Sequence, residues 1–293
     1  MRRLILAFAL AGLVTDAFAA DQPEIPTLRG SDAVVPVLQP AAAVPIAAPA
    51  FARWGGFYAG GQLGYSSVHM DFSQATKSLV AFSLRELALE AERHPSEWEV
   101  LGQTGTQGRS YGGFAGYNSQ WDEVIVGMEL NYSRASFSVS APNSPLARVT
   151  AAGGNVYLVT ITGSGSMQIT DLATIRARAG WVVGNFLPYV TAGVAVGQAA
   201  FARSATVSGI ENPTRPPVPC DGSASPPCTI FSFTQSEAKT NAFIYGFAVS
   251  AGVDFMLMSN VFVRGEVEYI GLAPISRISG GISTGRVGVG FKF

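Results

Sequence analysis

Gly285-Arg-Val-Gly-Val-Gly-Phe-Lys-Phe293 alternates without a break, and this alternation decides the fold. Successive side chains on a β-strand point to opposite sides. Val287, Val289, Phe291 and Phe293 therefore share one face, and Arg286, Gly288, Gly290 and Lys292 the other. A soluble sandwich shares short alternating strands but not a repeated face of glycine and charge opposite aliphatics and aromatics. Lipid on one side and a polar lumen on the other fit this pattern.

At the opposite end, Arg2 and Arg3 precede the apolar run Leu4 to Val14, and Ala17-Phe18-Ala19 supplies a small-x-small cleavage site. Residues 1–19 read as a secretory signal peptide, with the mature chain starting at Ala20. The run is too short for a membrane helix, which needs roughly 20 residues, and no later stretch offers one. Without Arg2, Arg3 and Asp16 the chain carries 17 basic and 19 acidic residues, which leaves no footprint for nucleic acid. Only 13% of the chain is charged and 33 residues are Gly. The mean hydropathy is nevertheless positive, because apolar residues are spread by alternation.

Residues 20–53 hold six prolines and many alanines without helix or strand period. They read as a Pro/Ala-rich periplasmic tether, able to reach on the order of 100 Å if extended. Residues 54–293 then count out an all-β, antiparallel, eight-stranded transmembrane barrel. Its strands are Phe57–Ser66, Ser110–Ser119, Val124–Ser133, Leu172–Trp181, Pro188–Val196, Ile244–Phe255, Val261–Tyr269 and the closing segment. Three short turns alternate with four longer connections, which are expected to be extracellular. In the first, Val80, Leu84, Leu87 and Ala91 are spaced for a helix from Ser78 to His94, stopped by Pro95 and capping the rim. In the second, Asn155 to Thr162 and Met167 onward suggest a hairpin across Gly163-Ser-Gly-Ser166, a wall extension or two further strands. Trp54, Tyr65, Tyr132, Trp181 and Tyr269 read as interface girdle residues.

The inward positions carry a charge network: Glu129, Arg176, Arg178, Asp254, Arg264, Glu266, Glu268 and Arg286. Glu129 neighbours Arg176 and Arg178 across one strand pair, and Glu266 and Glu268 neighbour Arg286 across another. An eight-stranded lumen is just wide enough for side chains to fill, which favours a structural plug; a narrow ion or solute path is the alternative. Cys220 and Cys228 bracket a Pro-rich stretch and suit a local disulfide in an oxidising compartment. Histidine is scarce. His69 and His94 lack metal-site spacing, and Ser67 with His69 has no carboxylate placed to orient the imidazole. No catalytic residue, metal or cofactor is expected, and the chain does not read as an enzyme.

Several motifs carry a family resemblance. Arg53-Trp-Gly-Gly-Phe-Tyr-Ala-Gly-Gly-Gln-Leu-Gly-Tyr65, Gly112-Gly-Phe-Ala-Gly-Tyr-Asn118, Thr174-Ile-Arg-Ala-Arg-Ala-Gly-Trp181, Leu187-Pro-Tyr-Val-Thr-Ala-Gly-Val194 and Arg264-Gly-Glu-Val-Glu-Tyr269 occur in order. They resemble strand motifs of the outer-membrane β-barrel surface antigens of alphaproteobacteria, within the opacity-protein-like and OmpA-type eight-stranded barrels. The resemblance implies an integral protein of the Gram-negative outer membrane, among lipid and lipopolysaccharide, serving envelope integrity and as a surface antigen or adhesin. Some such relatives bind host or other surface ligands through their loops. It also implies that Phe291 and Phe293 form the terminus recognised by barrel-assembly machinery. In related organisms, barrels starting Ala-Asp can be joined to peptidoglycan, and Ala20-Asp21 matches that start.

Overall fold

The computed structural model describes residues 53–212 and 228–293. Nine antiparallel strands form one sheet: β1 (Gly56–Asp71), β2 (Gln103–Trp121), β3 (Val124–Ala141), β4 (Leu146–Ala152), β5 (Asn155–Trp181), β6 (Phe186–Asn212), β7 (Thr229–Met256), β8 (Val261–Ile275) and β9 (Ile278–Lys292). β1 pairs with both β2 and β9, and β3 pairs with β5, so the sheet closes on itself. β4 also lies on β5, with Leu146 opposite Ile161, while Ala141 at the end of β3 lies opposite Gly165. β3 and β4 are thus one stave, interrupted at Pro142-Asn-Ser-Pro145, where the prolines have no N–H to give the ladder. Nine segments make an eight-stave barrel. No helix among the described residues is long and apolar enough to cross a membrane; the crossing is made by strands.

Two expectations about the second connection are corrected. Gly163-Ser-Gly-Ser166 does not turn and adds no strands: it runs inside β5, paired with Ala202 to Ala205 of β6. The chain reverses instead at Gly153-Gly154, both with positive φ, a conformation that glycine adopts freely. Gly163 and Gly165 have another purpose. A Cβ on either would come within 2.7 Å of Thr76 or Phe72, so these positions stay small to admit the first connection into the barrel mouth.

That connection folds as α1 (Lys77–Leu84), α2 (Ala88–Arg93) and a 3-10 turn at Pro95–Glu97. The expected continuous helix is broken after Leu84, and His94 takes a left-handed conformation before the proline. The break shifts the phase, so Leu89 is buried and Ala91 is exposed. Val80, Leu84, Leu89 and Val100 pack on Tyr157, Val159, Ile161, Ala205 and Val207 from the tall strands β5 and β6. The segment is held as a plug between staves.

The staves outrun their expected lengths at the long-loop end: β5, β6 and β7 span 27, 27 and 28 residues. A membrane crossing needs only about 9–11. The ladder shifts register between Arg134 and Phe137, Ile169 and Asp171, Ala199 and Phe201, and Leu272 and Ile275. The last connection, read as a longer loop, is a two-residue turn at Ser276-Arg277, both with positive φ, as type I′ hairpins require. Below the bulges, Leu63, Met128, Val190, Phe247, Val267 and Val287 point outward, each more than half exposed. Such a continuous apolar girdle on an otherwise well-packed molecule is a membrane-facing surface.

Candidate functional site: the sealed lumen

Alternation carries every inward position to a predictable height, and the structure brings all eight expected charges into one cluster. Adjacent pairs form first. Register places Glu129 opposite Arg176, Asp254 opposite Arg264 and Glu266 opposite Arg286. Arg264 holds Asp254 with Nε at 2.9 Å and Nη2 at 3.1 Å, and Arg286 reaches Glu266 at 3.7 Å and also bonds Glu268.

Contacts across the lumen then fuse these pairs. Arg176 donates from Nη1 to Glu266 at 2.8 Å and to Glu268 at 2.7 Å, and from Nη2 to Glu129. Arg264 Nη1 reaches Glu129 at 2.7 Å, and Arg178 Nη2 reaches Asp254 at 2.5 Å. Four guanidinium groups meet four carboxylates, so the layer is neutral. All eight residues are buried. An ion in such a place is tolerable only when paired and hydrogen-bonded, since desolvation costs several kcal/mol per ion.

Aromatic partners that the charge pattern does not single out join the layer. Tyr58 donates to Glu129 at 2.8 Å and Tyr189 to Glu266 at 2.7 Å. The Arg178 guanidinium lies 3.8 Å from the centre of the Tyr189 ring and that of Arg264 4.0 Å from Phe114, adding cation–π attraction in a dry setting. The signal was available: Tyr58 falls on the inward parity of the first strand, and Tyr189 lies opposite in parity to the outward Val190.

Layers above and below complete the seal. Toward the short-turn end, Trp54, Tyr58, Phe114, Ile125, Val182, Leu187, Met256 and Phe262 form an apolar floor. Trp54, expected in a girdle, is 2% exposed and packs edge-on against Phe262 at 5.8 Å. Its indole fills the barrel end rather than meeting headgroups. Toward the long-loop end, Gln62 bonds Asn131 at 2.9 Å and Ser66 bonds Thr284 at 2.8 Å. A cavity of about 20 Å³ lies there beside Glu268 and Arg286, a space on the scale of one water molecule. Over it close Met70, Phe72, Phe137, Ile169 and Phe201.

The remaining candidates fall elsewhere. Phe291 and Phe293 lie on the outer wall with their rings 5.3 Å apart. Ser67 Oγ is 3.2 Å from His69 Nε2 on the outer face of β1. The nearest carboxylate in sequence, Asp71, is engaged by the Ser73 amide and Gln103. Ala20, Asp21 and Cys220 lie outside the described residues, as do the signal peptide and nearly all of the tether.

A family model for the outer membrane protein beta-barrel domain matches residues 38–293. The chain belongs to that family. Among solved structures, this outer-membrane barrel is similar to Ail, the attachment invasion locus protein of Yersinia pestis, at 12% identity over 81% of this chain and 99% of that one, TM-score 0.29. Neisserial surface protein A matches at 12% identity over 81% and 97%, TM-score 0.35. OprG of Pseudomonas aeruginosa matches at 12% over 82% and 96%, TM-score 0.33. No curated protein matches the outer-membrane barrel.

Proposed function

We propose that this outer-membrane barrel is a non-conducting structural protein of the envelope, of the alphaproteobacterial surface-antigen kind, presenting its long-loop end outside as an antigenic or adhesive surface. The observation that carries the reading is the neutral four-plus-four charge layer held between an aromatic floor and an apolar ceiling. An ion crossing it would have to break paired, buried charges and then pass Phe72 and Phe137. The floor, the charge layer and the plug spend the lumen on stability.

On this reading the tether runs from the short-turn end through the periplasm, and Ala20 is its attachment point to peptidoglycan. The Cys220–Cys228 bridge closes the connection between β6 and β7 on the outer side. Phe291 and Phe293 serve recognition by the assembly machinery.

Planar-bilayer recording of the purified full chain tests the sealed lumen. The expected record shows no steady unitary current, and ion-selective steps altered by Arg176→Ala would refute it. Digestion of purified sacculi tests the tether separately: a muropeptide joined to Ala20 is expected, and only free Ala20 termini would sink that attachment.

A further inference from the structure

The tall sheet of β4, β5, β6 and β7 has two lateral margins, and they are finished differently. On the β4 side α2 covers the edge: Arg93 Nε donates to the Ala151 carbonyl at 2.7 Å, and Glu92 accepts the Gly153 N–H at 3.1 Å. On the other side β7 is followed to its top by β6, with Glu211 opposite Thr229, but β8 joins it only from Gly246, opposite Leu272. Pro274 stands just beyond, without an N–H to lengthen that ladder. The turn between β8 and β9 reaches up as far as Glu237, which accepts the Ser276 hydroxyl at 3.2 Å. Above this point, among the described residues, no strand pairs with the far side of Thr229-Ile-Phe-Ser-Phe-Thr-Gln-Ser236.

An open edge is a template for another strand, and natural edges are blunted against this by charge, proline or a bulge. Residues 229–236 have none of the three: they carry no charge and no proline, and their ladder to β6 runs without a shift. Each face of this edge also leaves an apolar side chain in solvent. Ile230 is 68% exposed on the outer face. On the inner face Phe231 is buried and stacks at 5.9 Å on Phe233, which is 39% exposed.

We propose that this edge pairs with the same edge of a second copy of the chain, antiparallel about a twofold axis through Ser232. The charge pattern selects the occupant. A second copy presents the same charges as the first, so self-pairing requires an uncharged edge, and Glu237 and Lys239 fall beyond the ladder. Residues directly opposite in an antiparallel pair share a face. Centring on Ser232 sets Phe231 against the partner's Phe233, Ile230 against the partner's Thr234 and Thr229 against the partner's Gln235, and the twofold repeats each pair. Aromatic and β-branched pairs of this kind stabilise a sheet, and they cover both exposed apolar side chains. The axis stands perpendicular to the sheet. Copies in one membrane run their β7 strands in the same direction, so an antiparallel partner belongs to a facing membrane. The contact therefore joins two cells or two vesicles, which rests on the outward placement of the long-loop end proposed above.

Sedimentation of the purified full chain in detergent, over a series of concentrations, tests the pairing, and a concentration-dependent dimer is expected. Ser232→Lys sets like charge face to face on the axis and should weaken the dimer about tenfold or more. Ser232→Glu should do the same, and an equal mixture of the two variants should recover the dimer as a mixed pair. Ser232 is exposed on the outer face, and gel migration before and after heating confirms that each variant is folded. A monomer at every concentration would overturn the proposal and leave the edge to a strand of a different protein. A dimer indifferent to Ser232→Lys, or a mixture no tighter than either variant alone, would put the contact elsewhere and overturn it as well. Phospholipid vesicles carrying the chain with its long-loop end outward should cluster, whereas vesicles carrying only Ser232→Lys should stay dispersed. A detergent dimer without vesicle clustering would overturn the facing-membrane arrangement. Dimerisation in detergent requires neither a sealed lumen nor a given side of the membrane, so its failure is distinct from failure of the envelope reading, which bilayer current reports.

Discussion

At the level of the lipid belt the barrel interior holds Arg176, Arg178, Arg264 and Arg286 against four carboxylates, whereas beyond the bulges the same cylinder is filled by Phe72, Leu84, Val159 and Val207. The outer wall reverses in step, from Leu63 and Val267 below to Ser164 and Thr206 above. The difference follows from the solvent. Within lipid, burying apolar groups inside gains nothing over leaving them outside, so the interior is free to be polar if every charge is met. Above the membrane the wall faces water, and only an apolar interior supplies a driving force for packing. One continuous ladder therefore obeys two opposite burial rules along its length.

Breaking the charged half should have the largest effect. Arg176→Ala leaves Glu129, Glu266 and Glu268 short of a partner and should cost about 3–5 kcal/mol, read from urea unfolding in lipid vesicles. A loss under about 1 kcal/mol would mean that the layer can rearrange and is no rigid plug. In the upper half Leu84→Ala should cost about 2–5 kcal/mol, confined to the plug. Hydrogen exchange should rise in residues 72–102 while the belt-level amides stay protected; uniform loosening would show that the two halves do not behave independently.

Gly165→Val drives a side chain into Phe72 and should cost about 1–3 kcal/mol by overpacking. Proteolysis within the first connection is the readout, and unchanged resistance would contradict the close fit of Phe72 against β5.

The smallest effect concerns pH. Arg203 donates from Nε to Glu237 at 3.0 Å and from Nη1 to the Ala75 carbonyl at 2.8 Å, latching the plug to β6 and β7. Its hydrogen bonds hold the Glu237 carboxyl below the usual range. A depressed folded-state pKa stabilises fully above the unfolded carboxylate value, about 4.3, and that contribution is lost as pH falls through the folded value. Partial exposure of Glu237 keeps the effect small. Exchange in residues 72–102 should quicken modestly below that range, and Glu237→Gln should remove the pH dependence; an identical pH response in the variant would exclude Glu237 as its source.

The belt level was legible in the sequence because strict period-two alternation both announces a strand and assigns its inner face. Glu129, Arg176, Glu266 and their partners are therefore assigned to the lumen by the alternation alone. The upper barrel was not legible, for a local reason. The expected starts at Leu172 and Ile244 and the expected end at Ser133 lie close to bulges, and one extra residue exchanges the inner and outer sets. In β5 the buried positions pass from Leu172 and Thr174 to Ile169 and Met167. A reader of alternation therefore sees the strand stop where it only changes phase. The same slip concealed Arg203 and Glu237, and small residues facing the plug made Gly163-Ser-Gly-Ser166 look like a turn.

The long ladder of β5, β6 and β7 also bears on what an antibody or receptor could read. Thr162, Thr206 and Thr234 are far apart in sequence but lie side by side on three paired strands. An epitope on this wall is discontinuous by construction. A synthetic peptide copied from any one strand would carry its residues without the neighbours that complete the surface, and serum raised against the folded protein should lose recognition once the ladder is unfolded.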